Sequence, residues 1–204
     1  MPVEQQPTPG GEQPIVNVVG EKVALGPLRR ELIPIYLKWV SDFEVTRTLG
    51  LALAPMTLEV EQDWYDRVTK GERIVPFTIY ERATLRPIGN TDLTSIDHAN
   101  RTANFGIMIG EKDCWGKGYG TEATRLMLDY AFTALGLHNV LLLVFAYNER
   151  GLRAYRRAGF KEIGRRREAR RLAGRAYDVV YMDSLATEFE SPVLRRSLAP
   201  PPTE

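Results

Sequence analysis

Apolar side chains recur with two different spacings along the chain, and these spacings predict its helices and strands. Leu32, Tyr36 and Trp39 stand three to four positions apart in RRELIPIYLKWVSD, which predicts a helix with one apolar face. The same spacing recurs in TLEVEQDWYDRVTKG, where Thr57 is the predicted N-cap and Gly71 marks the end. A third helical stripe runs through TEATRLMLDYAFTALG, and NERGLRAYRRAGF predicts a short fourth helix.

Strand predictions fill the gaps between these helices. IVPFTIY, PIGNTDLTSI and TANFGIMIG are short β-rich runs separated by turns, so three antiparallel strands are expected there. VLLLVFA is apolar at every position, which predicts a strand buried on both faces in the middle of the sheet. The predicted strands cover residues 23–28, 74–80, 87–96, 102–110, 140–146 and 177–185.

The order of these elements is that of a single α+β domain. Helices follow the first strand, an antiparallel run comes next, and strands and helices then alternate to the end. A chain of 204 residues has room for one domain with a sizeable core. Pro and Gln dominate residues 1–14, and four prolines occur in residues 191–204, so both segments are predicted to be disordered tails. The folded domain is expected to span residues 15–190.

Composition and charge exclude several classes of partner. The formal net charge is only +1, so neither DNA nor an anionic membrane is an expected partner. The run Val140–Tyr147 is the longest apolar stretch and falls far short of the ~20 residues that span a bilayer. A single cysteine, Cys114, and two histidines make a disulfide or a metal site improbable. With no secretory signal in the N-terminal residues, a cytoplasmic protein without a metal is expected.

A glycine-rich loop, CWGKGYGTEA over residues 114–123, lies directly before the third predicted helix. Gly116, Gly118 and Gly120 allow the backbone to turn successive amides inward, and a helix N-terminus adds partial positive charge. Such a loop suits a phosphate group, and Lys117 adds one charge. For an isolated loop of this kind, a simple change of chain direction is an equally good interpretation. The pattern is neither a Walker loop nor a dinucleotide fingerprint.

A second segment, about thirty residues further on, makes the loop more informative. Asn148 follows the apolar strand, and Tyr155 stands four residues before Gly159 on the fourth helix. Together the two segments resemble the GNAT superfamily of acyl-CoA-dependent N-acyltransferases. In that family a Q/R-x-x-G-x-G/A loop binds the CoA pyrophosphate, and a strand-Asn-helix segment ending in Y-x-x-x-G-F lies beside the thioester. Here W-G-K-G-Y-G spans 115–120 and Y-R-R-A-G-F spans 155–160.

The resemblance covers roughly residues 20–186 and implies both a fold and an activity. The implied fold is one GNAT-like domain, a three-layer arrangement with helices on both faces of a mixed, mostly antiparallel sheet that splays at the CoA site. The implied activity is direct transfer of an acetyl group from acetyl-CoA to the primary amine of a peptide N-terminus or a small molecule. The loop WGKGYGTEA and the late strand GRAYDVVYMDSL are closest to the branch that acetylates ribosomal-protein N-termini at alanine or serine.

The resemblance also implies where acetyl-CoA binds and which residues act on it. The pantetheine arm is expected between residues 105–110 and 140–146, where a backbone N–H near Met108 polarises the thioester carbonyl. Tyr155 is the implied general acid, whereas spacing alone favours a core residue of an amphipathic helix. Trp115 stands at the usual Gln or Arg position, which removes one side-chain contact. The expected cofactor-binding residues are Ile107, Met108, Ile109, Trp115, Gly116, Lys117, Gly118, Tyr119, Gly120, Thr121, Asn148 and Arg153.

The general base is the part of the family pattern that this sequence lacks. Relatives often carry a glutamate in an A-E-x-G pattern, whereas Asn104 occupies that position here and is expected to orient the acceptor instead. The acceptor amine is then expected to lose its proton through water to Asp92, Asp97 or His98, or to arrive already neutral. For Asp97 and His98, a solvated turn residue is the better interpretation.

Two other functions remain open at this stage. A protein that kept the loop but lost its base would be a CoA-binding sensor or a partner-binding module. The arginines between 165 and 175 would suit RNA or a ribosome, although a solvated hairpin between two late strands explains them better. Cys114 lacks a basic neighbour in sequence and is interpreted as structural. The sequence fixes neither the acceptor nor the oligomeric state, and a homodimer is compatible with it.

Overall fold

The computed structural model describes residues 13–51 and 53–200, whose strands form one eight-stranded sheet with the order β1-β2-β3-β4-β5-β6-β8-β7. The strands are β1 Val18–Val19, β2 Val23–Gly26, β3 Val75–Glu81, β4 Pro87–Asp97, β5 Thr102–Ile109, β6 Asn139–Phe145, β7 Lys161–Leu172 and β8 Arg175–Leu185. The helices are α1 Ile33–Ser41, α2 Phe43–Thr46, α3 Leu58–Thr69, α4 Tyr119–Asp129, α5 Glu149–Ala158 and α6 Leu194–Ser197.

The sheet opens between its two parallel neighbours. All other neighbouring strands pair antiparallel, whereas β5 and β6 run parallel and pair only from Thr102↔Asn139 to Asn104↔Leu141. Beyond Asn104 the two strands separate, so the second half of β5 has no partner on that side. The splay predicted between residues 105–110 and 140–146 is therefore present.

Alternate side chains of β3 show how the two faces of the sheet are covered. Phe77 and Ile79 are buried in the larger core cluster with α4, whereas Tyr80 is buried in a second cluster with α1 and α3. Because successive strand residues point to opposite faces, α4 and the pair α1 and α3 lie on opposite faces. The Tyr36 hydroxyl of α1 lies 2.6 Å from the Thr78 hydroxyl of β3, which ties the second layer to the sheet. The predicted three-layer architecture is confirmed.

Most of the predicted helices and strands are present, and one expectation about burial is wrong. Helix α3 begins as predicted, with the Thr57 hydroxyl accepting a hydrogen bond from the Val60 amide at 3.4 Å. Strand β6 was expected to be buried on both faces. Its alternate residues Val140, Leu142 and Val144 are buried, but Leu143, which points to the other face, is 57% exposed.

The C-terminal segment is more ordered than the sequence predicts. After α4 the chain continues through a π-helical turn, Tyr130–Ala134, and the fully buried Asp129 faces the C-terminal segment. Its carboxylate accepts hydrogen bonds from the amides of Val193 at 2.9 Å and Leu194 at 2.8 Å, and Leu194 is buried. The predicted disordered tail is therefore wrong for residues 191–198. Residues 1–12 of the predicted N-terminal tail, and 201–204, lie outside the described residues.

The arginine-rich segment forms a hairpin, as expected. Strands β7 and β8 pair antiparallel and are joined at Ala173 and Gly174, whose φ angles of 49° and 77° are typical of a two-residue hairpin turn. Strand β7 is an edge strand and is exposed along most of its length. No helix within residues 13–51 and 53–200 has the length and apolar character needed to cross a membrane.

Candidate active site

A cleft of about 270 Å³ lies where β5 and β6 separate, between the glycine loop and α5. The residues that line it come from three distant parts of the sequence, and the splay brings them together. Val45, Thr48 and Leu49, from α2 and the segment after it, close one side of the cleft. Most of the predicted site residues line it, namely Ile107, Met108, Ile109, Trp115, Gly116, Gly118, Tyr119, Gly120, Thr121, Asn148, Arg153 and Tyr155.

Two predicted residues lie outside this cleft. Lys117 lines a neighbouring depression, and its carbonyl accepts a hydrogen bond from Lys22 Nζ at 3.2 Å. Asn104 is exposed on β5, at the last pair before the strands separate. The lysine charge therefore lies beside the loop, and Asn104 lies at the mouth of the splay.

The glycine loop has the backbone geometry of an anion site. Gly116 and Gly118 have φ angles of 78° and 89°, which side chains rarely adopt, and α4 begins directly afterwards. A Cβ on Gly116 would meet no atom within 4 Å, so the requirement there is conformational rather than spatial. Within the described residues, the amides of 116–121 donate to no acceptor of the protein. The loop thus presents free N–H groups at a helix N-terminus, where they suit a diphosphate.

The side chain of Arg150, which the sequence analysis did not identify, lies over Trp115 of the glycine loop. The Trp115 indole donates to the carbonyl of Ile109 at 2.8 Å, which fixes its ring against β5. The Arg150 guanidinium, from α5, lies 3.6 Å from the centre of that ring. Burial, and then the charge of Arg47, lower the pKa of Arg150 from its ordinary value. The arginine restores a positive charge where the family pattern has Gln or Arg, but no sequence signal pairs positions 115 and 150.

Tyr155 projects from α5 into the cleft. Its ring packs edge-to-face on the rings of Phe105 and Phe160, with distances of 6.3 Å and 6.1 Å between ring centres. These contacts fix the direction of the Tyr155 side chain. Burial raises the pKa of Tyr155 to about 12, so the hydroxyl is protonated at neutral pH. Within the part of the chain described here, only burial and the charge of Arg150 act on this hydroxyl, and no hydrogen bond does. It is therefore free to donate to a bound group.

Asn148 has a structural role as well as a place in the cleft. Its side-chain oxygen accepts a hydrogen bond from the Gly151 amide at 3.0 Å and so caps α5. Gly159 ends the same helix in the left-handed conformation, with a φ of 113°. These two residues set the limits of the helix that carries Tyr155.

The structure distinguishes the three candidate proton acceptors. The Asp97 carboxylate accepts hydrogen bonds at 2.9 Å from the amide and the side chain of Asn100, and these bonds lower the pKa of Asp97. Asp97 is the last residue of β4, and His98 is exposed in the turn that follows. Asp92 lies in β4 opposite Gly106, and burial raises the pKa of Asp92 to about 6.

Asp92 lies opposite the part of β5 that has separated from β6. Gly106 lies two residues beyond Asn104, the last residue of β5 that pairs with β6. A Cβ on Gly106 would lie 2.6 Å from Asp92 Oδ1. The carboxylate therefore lies over the backbone at the mouth of the splay. Asp92 and Asn104 share one face of the sheet, by their registers with Gly106 and Thr94, and Phe105 with Tyr155 lies on the other.

Cys114 lines the cleft but is not set up as a nucleophile. Its side chain is 2% exposed, and its sulfur accepts a hydrogen bond from Arg86 at 3.2 Å. Burial, and then the neighbouring Asp113, raise the pKa of the Cys114 thiol to about 11. Because the thiolate is the reactive form, the interpretation of Cys114 as structural agrees with this environment.

Comparison with known proteins gives several acetyltransferases. Human alpha/beta-tubulin-N-acetyltransferase 9 is 31% identical over 160 residues, which cover 72% of this chain and 75% of that protein. YdaF of Bacillus subtilis (strain 168), provisionally named a ribosomal N-acetyltransferase, is 35% identical over 102 residues, or 50% of this chain and 55% of its own. A crystal structure of spermidine N-acetyltransferase from Vibrio cholerae, in complex with CoA and spermine, has a TM-score of 0.75 at 24% identity. The similarity covers 82% of this chain and 97% of that one.

These relatives are named for different acceptors, so they do not single out the ribosomal-protein branch. All three are nevertheless named as N-acetyltransferases. The chain matches the family described as "Acetyltransferase (GNAT) domain" over residues 22–161. That range contains the glycine loop, both strands of the splay and Tyr155 on α5. The chain therefore belongs to the GNAT acetyltransferase family and is an N-acetyltransferase.

Proposed function

We propose that this enzyme binds acetyl-CoA in the cleft of the splay and transfers the acetyl group directly to a primary amine. The observation that carries the proposal is that free amides of the glycine loop, the unpaired edge of β5 and the Tyr155 hydroxyl all border one cleft. The acceptor in this proposal is an α-amine of a peptide N-terminus, in the cytoplasm, as in the ribosomal-protein branch. A small-molecule amine is the alternative acceptor.

The donor is proposed to bind by its diphosphate and its pantetheine arm. A hydrogen bond to a charged group contributes ~1.5–3 kcal/mol, so several amides between 116 and 121 would hold a diphosphate without a large basic patch. Arg150 and Arg153 add charge at the same cleft. The pantetheine amides would pair with the edge of β5 beyond Asn104, which has lost its strand partner there. The thioester then lies near Met108.

The proton transfers are assigned to groups on opposite faces of the sheet. Asp92 receives, directly or through water, a proton from the acceptor ammonium, and the neutral amine attacks the thioester carbon. A backbone N–H near Met108 stabilises the oxyanion. When the carbon–sulfur bond breaks, the Tyr155 hydroxyl gives its proton to the thiolate. Asn104, beside Asp92 on the same face, is proposed to orient the acceptor by hydrogen bonding.

An acceptor screen tests the activity. Thiol release from acetyl-CoA is followed with peptides that begin with Ala or Ser, with spermidine and with an amino acid, and CoA binding is measured by calorimetry. We expect CoA binding and turnover with at least one amine. CoA binding without turnover of any amine would favour a sensor or partner-binding module. Absence of CoA binding would overturn the proposal entirely.

Tyr155→Phe tests the general acid. Because the ring packing on Phe105 and Phe160 is kept, CoA affinity should stay nearly unchanged while kcat falls by roughly 10² to 10⁴. Tyr181→Phe, in β8, is the matched control, since its hydroxyl does not line the cleft. Equal kcat in wild type and Tyr155→Phe would remove Tyr155 from the acid role.

A further inference from the structure

A short segment, residues 42–49, connects the two strands of the splay at their open ends, and we call it the bridging segment. One side chain from just after β5 and one from just after β6 contact it. We propose that these two residues, Lys112 and Tyr147, hold the bridging segment in place and so position the acceptor amine beside the thioester. This inference rests on the proposed function and adds two positioning residues to it.

On the β5 side, the anchor is the ammonium group of Lys112, three residues after β5 ends. Lys112 Nζ lies 2.7 Å from Asp42 Oδ2 and 3.1 Å from Glu44 Oε2. The hydrogen bond to Lys112 lowers the pKa of Asp42, and the two carboxylates raise the pKa of Lys112. A single exposed ion pair stabilises a protein only slightly, but here one cation joins two carboxylates of the same short segment.

On the β6 side, the anchor is the hydroxyl of Tyr147, two residues after β6 ends. It donates a hydrogen bond to the carbonyl of Arg47. The ring of Tyr147 stacks on Phe145, with 5.5 Å between ring centres, and meets Tyr177 of β8 edge-to-face at 4.8 Å. Because two other rings fix its direction, the hydroxyl reaches the bridging segment from a rigid support.

Hydrogen bonds within the bridging segment hold it together as one unit. The Asp42 carboxylate accepts a hydrogen bond from the Glu44 amide at 2.8 Å and so caps α2. The Thr48 hydroxyl donates to the carbonyl of Val45 at 3.1 Å. With Lys112 at its beginning and Tyr147 near its end, the segment is fixed to both strands of the splay.

The bridging segment gives the cleft a wall that no proposed donor contact uses. Val45, Thr48 and Leu49 line the cleft, and the Thr48 hydroxyl is already bonded within the segment. The proposed contacts to CoA come instead from the glycine loop, the edge of β5 and α5. The wall therefore acts on the group that must approach the bound donor, which is the amine.

Tyr147→Phe tests the anchor on the β6 side, because it keeps the aromatic contacts and removes only the hydroxyl that reaches Arg47. We expect the KM of the amine to rise about two- to tenfold, as for the loss of one hydrogen bond, with kcat and CoA affinity nearly unchanged. Initial rates with the amine that wild type turns over best in the acceptor screen, and calorimetry with CoA, measure these values. Tyr177→Phe, in the same ring pair, is the matched control and should change none of them.

Lys112→Met tests the anchor on the β5 side and should raise the KM of the amine in the same way. Lys112→Arg should restore the wild-type KM, since a guanidinium group also pairs with carboxylates. Lys70→Met, at the exposed end of α3, is the control for the loss of one positive charge.

Three outcomes would contradict these expectations. An unchanged KM in either Tyr147→Phe or Lys112→Met would overturn the inference and leave the proposed function intact. A loss of CoA affinity as large as the rise in KM would show that the bridging segment holds the donor, and would also overturn the inference. Wild type that turns over none of the screened amines would overturn the proposed function, and this inference with it.

Discussion

At the scale of single residues, the missing glutamate of the family pattern changes where the base must be sought. Asn104 occupies the position of that glutamate, and a carboxylate from the neighbouring strand, that of Asp92, lies beside Gly106. Glycine is required there because a side chain would meet Asp92 Oδ1 at 2.6 Å. In the proposed mechanism Asp92 is the base, and the absence of a side chain at Gly106 leaves the space that the Asp92 carboxylate occupies.

Substitutions of Asp92 and Gly106 test this assignment. If Asp92 is the base, the rate of acetyl transfer should rise as the pH increases through the Asp92 pKa of about 6, because only the carboxylate accepts a proton. In Asp92→Asn this rise in the pH profile should be absent. Gly106→Ala should displace the carboxylate and lower kcat/KM roughly tenfold or more with little change in CoA affinity.

The matched control is Gly164→Ala, where a Cβ would meet nothing within 4 Å. An unchanged pH profile in Asp92→Asn would exclude Asp92 as the base. The amine would then enter neutral or lose its proton to water.

Sequence was most informative at residues whose role depends on local geometry. Gly116, Gly118 and Tyr155 could be found because backbone conformation and helical position follow from short patterns. Arg150 could not, since its place over Trp115 depends on how α5 packs against the loop.

At the scale of elements, the helices and strands with clear periodicity were predicted well, and the short elements were missed. Strand β1 has two residues and helix α2 four, which is too short for a periodic pattern. The exposed side of β6 was missed because an apolar run does not show which neighbour is absent. Helix α6 was missed because a distant carboxylate caps it, and proline content alone predicted a tail.

The charges on the edge strand β7 are explained by its position in the sheet. Strand β7 ends the sheet, and an exposed edge strand can pair with another chain. Charged side chains along such an edge oppose that pairing, and five of the arginines in the 165–175 region lie on β7. Edge protection accounts for these arginines without any nucleic acid.

The link between α4 and the C-terminal segment can be tested at Asp129. Removing its side chain by Asp129→Ala leaves the buried amide of Leu194 and the partly buried amide of Val193 without their acceptor. We expect a loss of about 2–4 kcal/mol in the free energy of unfolding and faster tryptic cleavage at Arg195 and Arg196. Chemical denaturation and timed proteolysis measure the two effects. Asp63→Asn, exposed on α3, is the control, and equal cleavage rates would contradict the role of Asp129.

At the scale of the whole molecule, the proposed donor-side and acceptor-side residues lie on opposite faces of the sheet. The face with α4 and α5 supplies the glycine loop and Tyr155, and the face with α1 and α3 supplies Asp92 and Asn104. The cleft lies where β5 and β6 separate, and neither Asp92 nor Asn104 is among the residues that line it. This division of the proposed roles fits direct transfer in one ternary complex, in which donor and acceptor would approach the thioester from opposite sides.

The buried carboxyl of Glu61 makes the stability of this second layer depend on pH. Glu61 lies in α3, is 3% exposed, and burial raises the pKa of Glu61 from its ordinary value of 4.5 to about 7. The folded state thus holds this proton more tightly than the unfolded state. Its contribution to stability is fully present below pH 4.5 and is lost as the pH rises through about 7.

Glu61→Gln should remove that dependence. Because the neutral amide avoids burying a charge, we expect the variant to be about 1–2 kcal/mol more stable than wild type at pH 8, and no more stable at pH 4. Thermal unfolding midpoints of both proteins at the two pH values measure the difference, with Asp63→Asn on the same helix as the control. A constant difference between Glu61→Gln and wild type at both pH values would show that the carboxyl does not titrate with folding. Its burial would then contribute to packing alone.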